Sequence, residues 1–273
     1  MTEQDSGDAS WWSSFSMATG ETAHARIGPL DLWIQRHPNE WRLARDEASD
    51  PMDATLSHPS PVADQDLNEL PGVERFAMAR TGDRVTLGAA LADRPVISRP
   101  EKPFHLPVGE EATVFVSTPL WLRFQVGEAD KLLREFPIAR PSDTWFGPNT
   151  LEGELCYTSR AYFVLNPENL PQLPHRAITA VRLINRAEQE LTVDRMRLPA
   201  PQLALFAAAD GQFWTQDVTY ERTEGDDAEL RVRRRPPRAA ADAHRLTEPR
   251  NDVRGNLVVR TFSSLFARGG EEE

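Results

Sequence analysis

The sequence predicts a mainly β protein: antiparallel, sandwich-like sheets in two units, followed by a C-terminal amphipathic helix. Three observations carry that expectation. Short runs of period-2 hydrophobic alternation recur along the 273 residues. Clusters of Gly, Pro, Asn and Asp separate them roughly every 8–12 residues, the spacing of a sandwich or barrel. Long helical patterns alternating with the strands, which would signal a parallel sheet, are missing.

Residues 1–25 read as an N-terminal segment, polar at first and then carrying Trp11, Trp12, Phe15 and Met17. Trp suits half-wet sites, so these rings either dock on the body or form an exposed contact for a partner or a bilayer interface. The first β unit spans 26–140. Leu30, Leu32 and Ile34 share one face by alternation, Asp31, Trp33 and Gln35 the other, and "HPNE" turns the chain toward Trp41 and Leu43. From 46 to 70 the chain is acidic and interrupted by Pro51, Pro59 and Pro61, which reads as a surface loop. A second hairpin is expected around "TGD" at 81–83. The clearest alternation is "ATVFVSTPLWLRFQV". Val114, Val116, Leu120, Leu122, Phe124 and Val126 fall on one side, Phe115 and Trp121 on the other. Pro119 cannot donate to a ladder and marks an edge or a break. "GEADKLLREF" has the composition of one or two helical turns.

The second unit spans 141–235. "FGPN" is a turn, and "LEGELCYTSRAYFVL" alternates behind it. Two strands joined at "NRAEQE" are expected to pair as a hairpin, with further turns at "DG" and "EGDD". Residues 236–273 are loop and then helix, the latter from Leu257, Val258, Phe262, Leu265 and Phe266 at helical spacing.

The totals exclude several function classes. A net charge of −11 argues against a nucleic-acid binder and against electrostatic attachment to anionic lipid. The N-terminus lacks the basic and apolar regions of a signal peptide, and no run reaches the ~18 apolar residues of a membrane helix. A single cysteine, Cys156, cannot form an intramolecular disulfide. The expectation is a cytoplasmic protein without a direct membrane span.

Catalytic motifs are missing: no nucleophile elbow, no phosphate-binding glycine loop, no C-x-x-C and no H-E-x-x-H. Six scattered histidines give no close metal-ligand pair, so neither metal nor cofactor is expected. Cys156 lies in a strand pattern, away from the helix start that would activate a thiol, and reads as structural. "RVRRRPPR" at 231–238 is the one basic cluster. It reads as a solvated edge strand, or as a contact for phosphate or an acidic protein.

The segments "IGPLDLWIQRHPNEWRLA", "ATVFVSTPLWLRF", "AVRLINRAEQELTVDRMRLPAPQLALF" and "NLVVRTFSSLF" resemble a family of β-rich proteins classed as a domain of unknown function. The resemblance covers about residues 26–267 and carries no catalytic residues. It implies an association with genes for mechanosensitive ion channels.

Sequence therefore points to a non-catalytic binding or accessory protein that contacts a protein partner, with a membrane channel among the candidates. Trp11, Trp12, Phe115 and Trp121 are the expected contact residues. Two alternatives stand beside it. One is a hydrolase in which Asp143, Glu152, Glu154 and His175 converge in a cleft. The other is a β protein that binds a small ligand.

Overall fold

The computed structural model describes residues 10–62, 67, 70, 72–147, 149, 151–158, 162–224, 227–251 and 257–260. Alternation organises the first layer. In strands β2 (Thr22–Ile27), β3 (Leu30–Arg36), β4 (Glu40–Glu47), β5 (Leu56–Pro61) and β6 (Glu74–Ala77), an antiparallel sheet runs in the order β5-β2-β3-β4-β6. Leu30, Leu32, Ile34, Trp41 and Leu43 point inward, as their parity requires. A four-stranded sheet faces it. It is made of β1 (Ser14–Ser16), β7 (Arg84–Ala90), β11 (Trp121–Val126) and β12 (Lys131–Pro137), in the order β1-β7-β11-β12. Trp41 meets Phe124 edge-on at 6.2 Å between ring centres.

The largest sheet has nine strands: β10 (Glu111–Pro119), β15 (Phe163–Val164), β16 (Arg176–Asn185), β19 (Leu205–Ala207), β20 (Phe213–Thr215), β21 (Val218–Glu224), β22 (Asp227–Val232), β23 (His244–Thr247) and β24 (Leu257–Arg260). β16 lies at its centre. β10 pairs along nearly its whole length, and β20 and β21 pair one after the other along its other edge. Two smaller sheets complete the body. β8 (Val96–Ser98), β13 (Ser142–Phe146), β14 (Glu154–Thr158) and β18 (Met196–Leu198) run in the order β13-β14-β8-β18. β9 (Phe104–Leu106) pairs with β17 (Leu191–Val193).

One hydrophobic core joins these sheets, from Trp11 through Leu32, Trp41, Phe124 and Val181 to Leu230. Strand pairing crosses the division near residue 140: β8 pairs with β14 and β18, β9 with β17, and β10 with β16. The two β units read from sequence share sheets and a core.

Several local expectations need correction. The segment read as helical turns at 127–136 is a tight turn followed by β12, which β11 recruits into its sheet. The "TGD" hairpin does not form: β6 pairs with β4, and β7 with β11 and β1. β16 and β17 likewise take different partners. The sheets are mainly antiparallel, as expected, with three parallel pairings, β8 with β14 and β16 with β20 and β21. The acidic loop contributes β5, which pairs with β2. Leu257–Arg260, read as the start of a helix, is strand β24 on the edge of β22. The rest of that expected helix lies outside the described residues. No helix among the described residues is long and apolar enough to cross a membrane.

His175 ties the acidic loop to the body. It is fully buried, and its Nε2–H donates to the Pro51 carbonyl at 3.0 Å. Its Nδ1 is buried without a hydrogen-bond partner and packs against Gly28, whose φ is +57°. Burial pulls the imidazole pKa down from 6.5 to about 4. Between those values the unfolded chain takes up a proton that the folded one refuses. Stability is therefore full above pH 6.5 and falls as the pH drops toward 4. At 1.36 kcal/mol per unit, the loss is about 3 kcal/mol at the acid end. Urea unfolding between pH 4 and 8 should show this slope in the wild type and a shallower one in His175→Gln. Gly28→Ala should cost about 2–5 kcal/mol, because the new Cβ meets His175 and the Asp53 carbonyl in a left-handed conformation.

Candidate functional site

The outward face of the nine-stranded sheet carries a groove of about 570 Å³, within the ~300–1,000 Å³ range of ligand pockets. Its floor follows from strand parity. Val114 and Val116 point into the core, so Phe115 points out, beside Ala180 across the β10–β16 ladder. Thr113 and Thr219, the register partners of Arg182, flank them on the same face, while Val218 and Val232 lie on the core side of the sheet. Every residue of β16 except Arg182 is buried, and Arg182 opens onto the groove. Arg231, Arg233 and Arg238 approach from β22 and the loop behind it.

Asp217 holds that loop in place. Only Gln216 and Asp217 separate β20 from β21, and the interruption brings the carboxylate into the groove. It pairs with Arg233 at 3.1 Å and accepts the Arg238 backbone N–H at 3.3 Å. Arg231 is balanced by Glu229 and Glu221 at 2.8 and 3.2 Å, and Arg182 by Glu111 at 2.5 Å. Arg234 and Arg235 are exposed in the same loop. The four arginines that line the groove meet four carboxylates, and Arg234 and Arg235, outside its lining, add positive charge beside the rim in a chain of net charge −11.

A second cleft, of about 780 Å³, lies on another side of the molecule and includes Trp121, Phe136, Tyr157, Arg45, Arg140 and Arg250. Its charges are largely matched internally. Arg250 bonds Glu135 and the Leu91 carbonyl, Arg123 pairs with Glu135 at 2.9 Å, and Arg45 sits 4.4 Å over the Phe136 ring. The Tyr157 hydroxyl donates to Asp93 at 3.0 Å, and burial together with that carboxylate raises its pKa.

The four expected contact residues scatter. Trp11 is fully buried, and its Nε1–H donates to the Pro174 carbonyl at 2.7 Å. Trp12 is half-buried, 4.3 Å from the Phe213 ring centre. Trp121 is buried against Ala90, Val96 and Tyr157. Phe115 alone lines the arginine-rimmed groove. Arg182 and Asp217 escaped the sequence reading. A single arginine inside the apolar run "AITAVRLI" is a usable signal for the first, whereas nothing local marks the second.

The model of the family described as "Protein of unknown function (DUF432)" matches residues 11–267. The chain belongs to this family. The DUF432 match takes in every strand from β1 to β24. No curated protein and no solved structure matches the chain.

In this DUF432 chain the carboxylates and histidine considered for hydrolysis do not converge. His175 is buried against Pro51. Glu154 pairs with Arg197, and Asp143 with Arg94 at 3.1 Å. Asp143 and Glu154 project from opposite faces of the β13–β14 hairpin by register, and Glu152 is exposed in its loop. Among the described residues no three or more His, Cys, Asp or Glu gather in a metal-binding group. Cys156 is fully buried beside Ile97 and Phe146. Burial, helped by Glu154, pushes its thiol up to about 12. The native protein should therefore leave a thiol-reactive dye such as dithionitrobenzoate unreduced at pH 8, and urea should release one full equivalent. Rapid native labelling would contradict the buried, protonated thiol.

Proposed function

We propose that the protein is a cytoplasmic, non-catalytic binding protein that takes an acidic, apolar-bearing segment of a partner protein into the Phe115 groove. The observation that carries this reading is an apolar floor ringed by arginines on an otherwise acidic chain. Burial of apolar side chains on the floor supplies the binding energy, at about 25 cal/mol per Å². The guanidinium forks accept carboxylates in a planar, bidentate fashion and set orientation. Exposed ion pairs contribute at most about 1 kcal/mol each, so the rim selects while the floor binds. Fields from the distant acidic surface are screened beyond about 8 Å at physiological salt, which leaves the local positive excess to act at contact range. A cytoplasmic setting agrees with a lone cysteine held as a thiol. A membrane channel, the partner class implied by the resemblance, would present the segment on a part outside the bilayer.

The probe is a fluorescein-labelled peptide that alternates Glu with Leu and Phe. Saturable binding is expected, weakened about tenfold, or ~1.4 kcal/mol, by Phe115→Ala. Arg238→Glu, at a side chain 80% exposed, should weaken it similarly. Added salt should do so as well. Absence of binding, or binding indifferent to both variants, rejects the reading. Competition by a small apolar acid but not by unlabelled peptide would move the site to the small-ligand class.

A further inference from the structure

The geometry points to a second site, apart from the Phe115 groove, that binds a small zwitterion: a free α-amino acid with an apolar side chain. The site is the large cleft beside Trp121, and it stands independently of the groove reading.

The cleft forms where three sheets meet. β4 supplies Asp46 and Glu47, β12 supplies Glu135 and Phe136, and β14 supplies Tyr157. A smaller depression of about 440 Å³, which holds Arg94, Ser142 and Asp143, runs into it, and the two share Pro137, Arg140 and Tyr157. Most charges here are consumed by one another. Glu135 takes Arg123 and Arg250, Glu74 takes Arg45 and Arg134, and Asp143 takes Arg94. Arg140 is the exception. Its guanidinium is exposed at the junction of the two depressions, and nothing among the described residues pairs with it. Glu47 Oε1 accepts the Arg140 backbone N–H at 2.8 Å. The guanidinium therefore stands about one arginine side chain away from that carboxylate, without closing on it. Asp93 faces the same cleft and accepts the Tyr157 hydroxyl through Oδ1 at 3.0 Å. Asp46 turns its Oδ1 to the Glu47 backbone N–H at 2.9 Å. An ionised carboxylate has about four acceptor positions, so Glu47 and Asp93 keep most of theirs.

This separation of charge selects the ligand. A plain anion would meet Arg140 but also three carboxylates, and a plain cation would meet Arg140 beside the acids. A molecule carrying both charges answers both walls. Its carboxylate takes the planar fork of Arg140. Its ammonium has three donors to share between Glu47 and Asp93. Its side chain rests on Phe136 and Trp121, which are 3% and 4% exposed and form the apolar part of the wall. The acidic wall is set in advance. Tyr157 is held between the Trp121 ring, at 5.3 Å between centres, and the Arg94 guanidinium, 5.2 Å from its own ring centre. Arg250 grips the Leu91 carbonyl through Nε and Nη2 at 3.0 and 2.6 Å, two residues before Asp93. Groups fixed before binding lose less entropy when the ligand arrives.

Isothermal titration calorimetry of the full chain with L-leucine tests this. Saturable binding is expected with a Kd of about 1 mM or tighter. Isocaproate lacks the ammonium of leucine and isoamylamine lacks its carboxylate. Each should bind at least about tenfold more weakly, because each leaves charged hydrogen bonds unmade. Arg140→Gln removes the cation and keeps the backbone N–H that Glu47 uses. It should weaken leucine by a similar factor without weakening isoamylamine. Asp93→Asn keeps an oxygen for the Tyr157 hydroxyl. It should weaken leucine without weakening isocaproate. General damage to the fold would not produce these crossed responses. Phe115→Ala, in the other site, should bind leucine as the wild type does. The proposal is overturned by the absence of saturable heat up to about 20 mM leucine, by either analogue matching leucine, or by either cleft variant binding leucine unchanged. Loss of leucine binding in Phe115→Ala would move the heat to the groove and overturn it as well. Failure here leaves the peptide experiment on the groove untouched, and failure of the peptide leaves this site untouched.

Discussion

The structure depends on β16 having both of its edges filled. β10 runs antiparallel to it on one side, while β20 and β21 run parallel to it, end to end, on the other. Its ends are pinned by polar side chains buried with it. At the start, Arg176 donates to the Ser117 hydroxyl and carbonyl at 3.0 and 2.9 Å; burial pulls its pKa down to about 10, which still leaves it charged at neutral pH. At the end, the Asn185 amide donates to the carbonyls of Leu106, Pro107 and Gln189. Buried polar groups are costly unless they are hydrogen-bonded, so these ends fix the strand's register. Apolar burial along both faces of the strand then draws the surrounding layers together.

That constraint also creates the groove. A strand buried on both faces has little room for a charged side chain, and Arg182 is tolerated because the outer layer opens beside it. The two partners on one edge of β16 must meet end to end, and their junction is where Asp217 emerges to hold the arginine loop. The site is a by-product of a packing solution: the sheet has a seam, and the seam carries a carboxylate.

Sequence reading worked where a strand has one wet face and one dry face. β3, β4 and the two strands around Pro119 were readable in this way, because period-2 alternation records that asymmetry directly. It could not assign partners, since residues such as Leu191 and Leu106 meet across a long separation that no local pattern encodes. Tertiary context overrode local preference in two places. Lys131–Pro137 has helix-forming residues, yet the turn at Gly127 and Asp130, with φ of 73° and 46°, returns it to β11 as a strand. Leu257–Arg260 found the open edge of β22. The site was half readable. Phe115 stands out as an aromatic on the polar side of its strand. Trp121 shares that parity, but beyond Pro119 the chain enters another sheet, where the same side is covered. Parity identifies a face and leaves its exposure undetermined.

The interleaving of the two halves bears on how the chain is made. During synthesis β8, β9 and β10 emerge first, but their partners β14, β17 and β16 lie roughly 60 to 90 residues further on. At about 5–20 residues per second, those strand edges wait several seconds with their backbone donors and acceptors unpaired. Loop-closure entropy delays such distant pairings further, and an unpaired edge is a template for pairing with other chains. The nascent first half therefore carries unpaired strand edges until the second half is made. β8 can close on β14 first, β10 on the long, apolar β16 next, and β9 on β17 last.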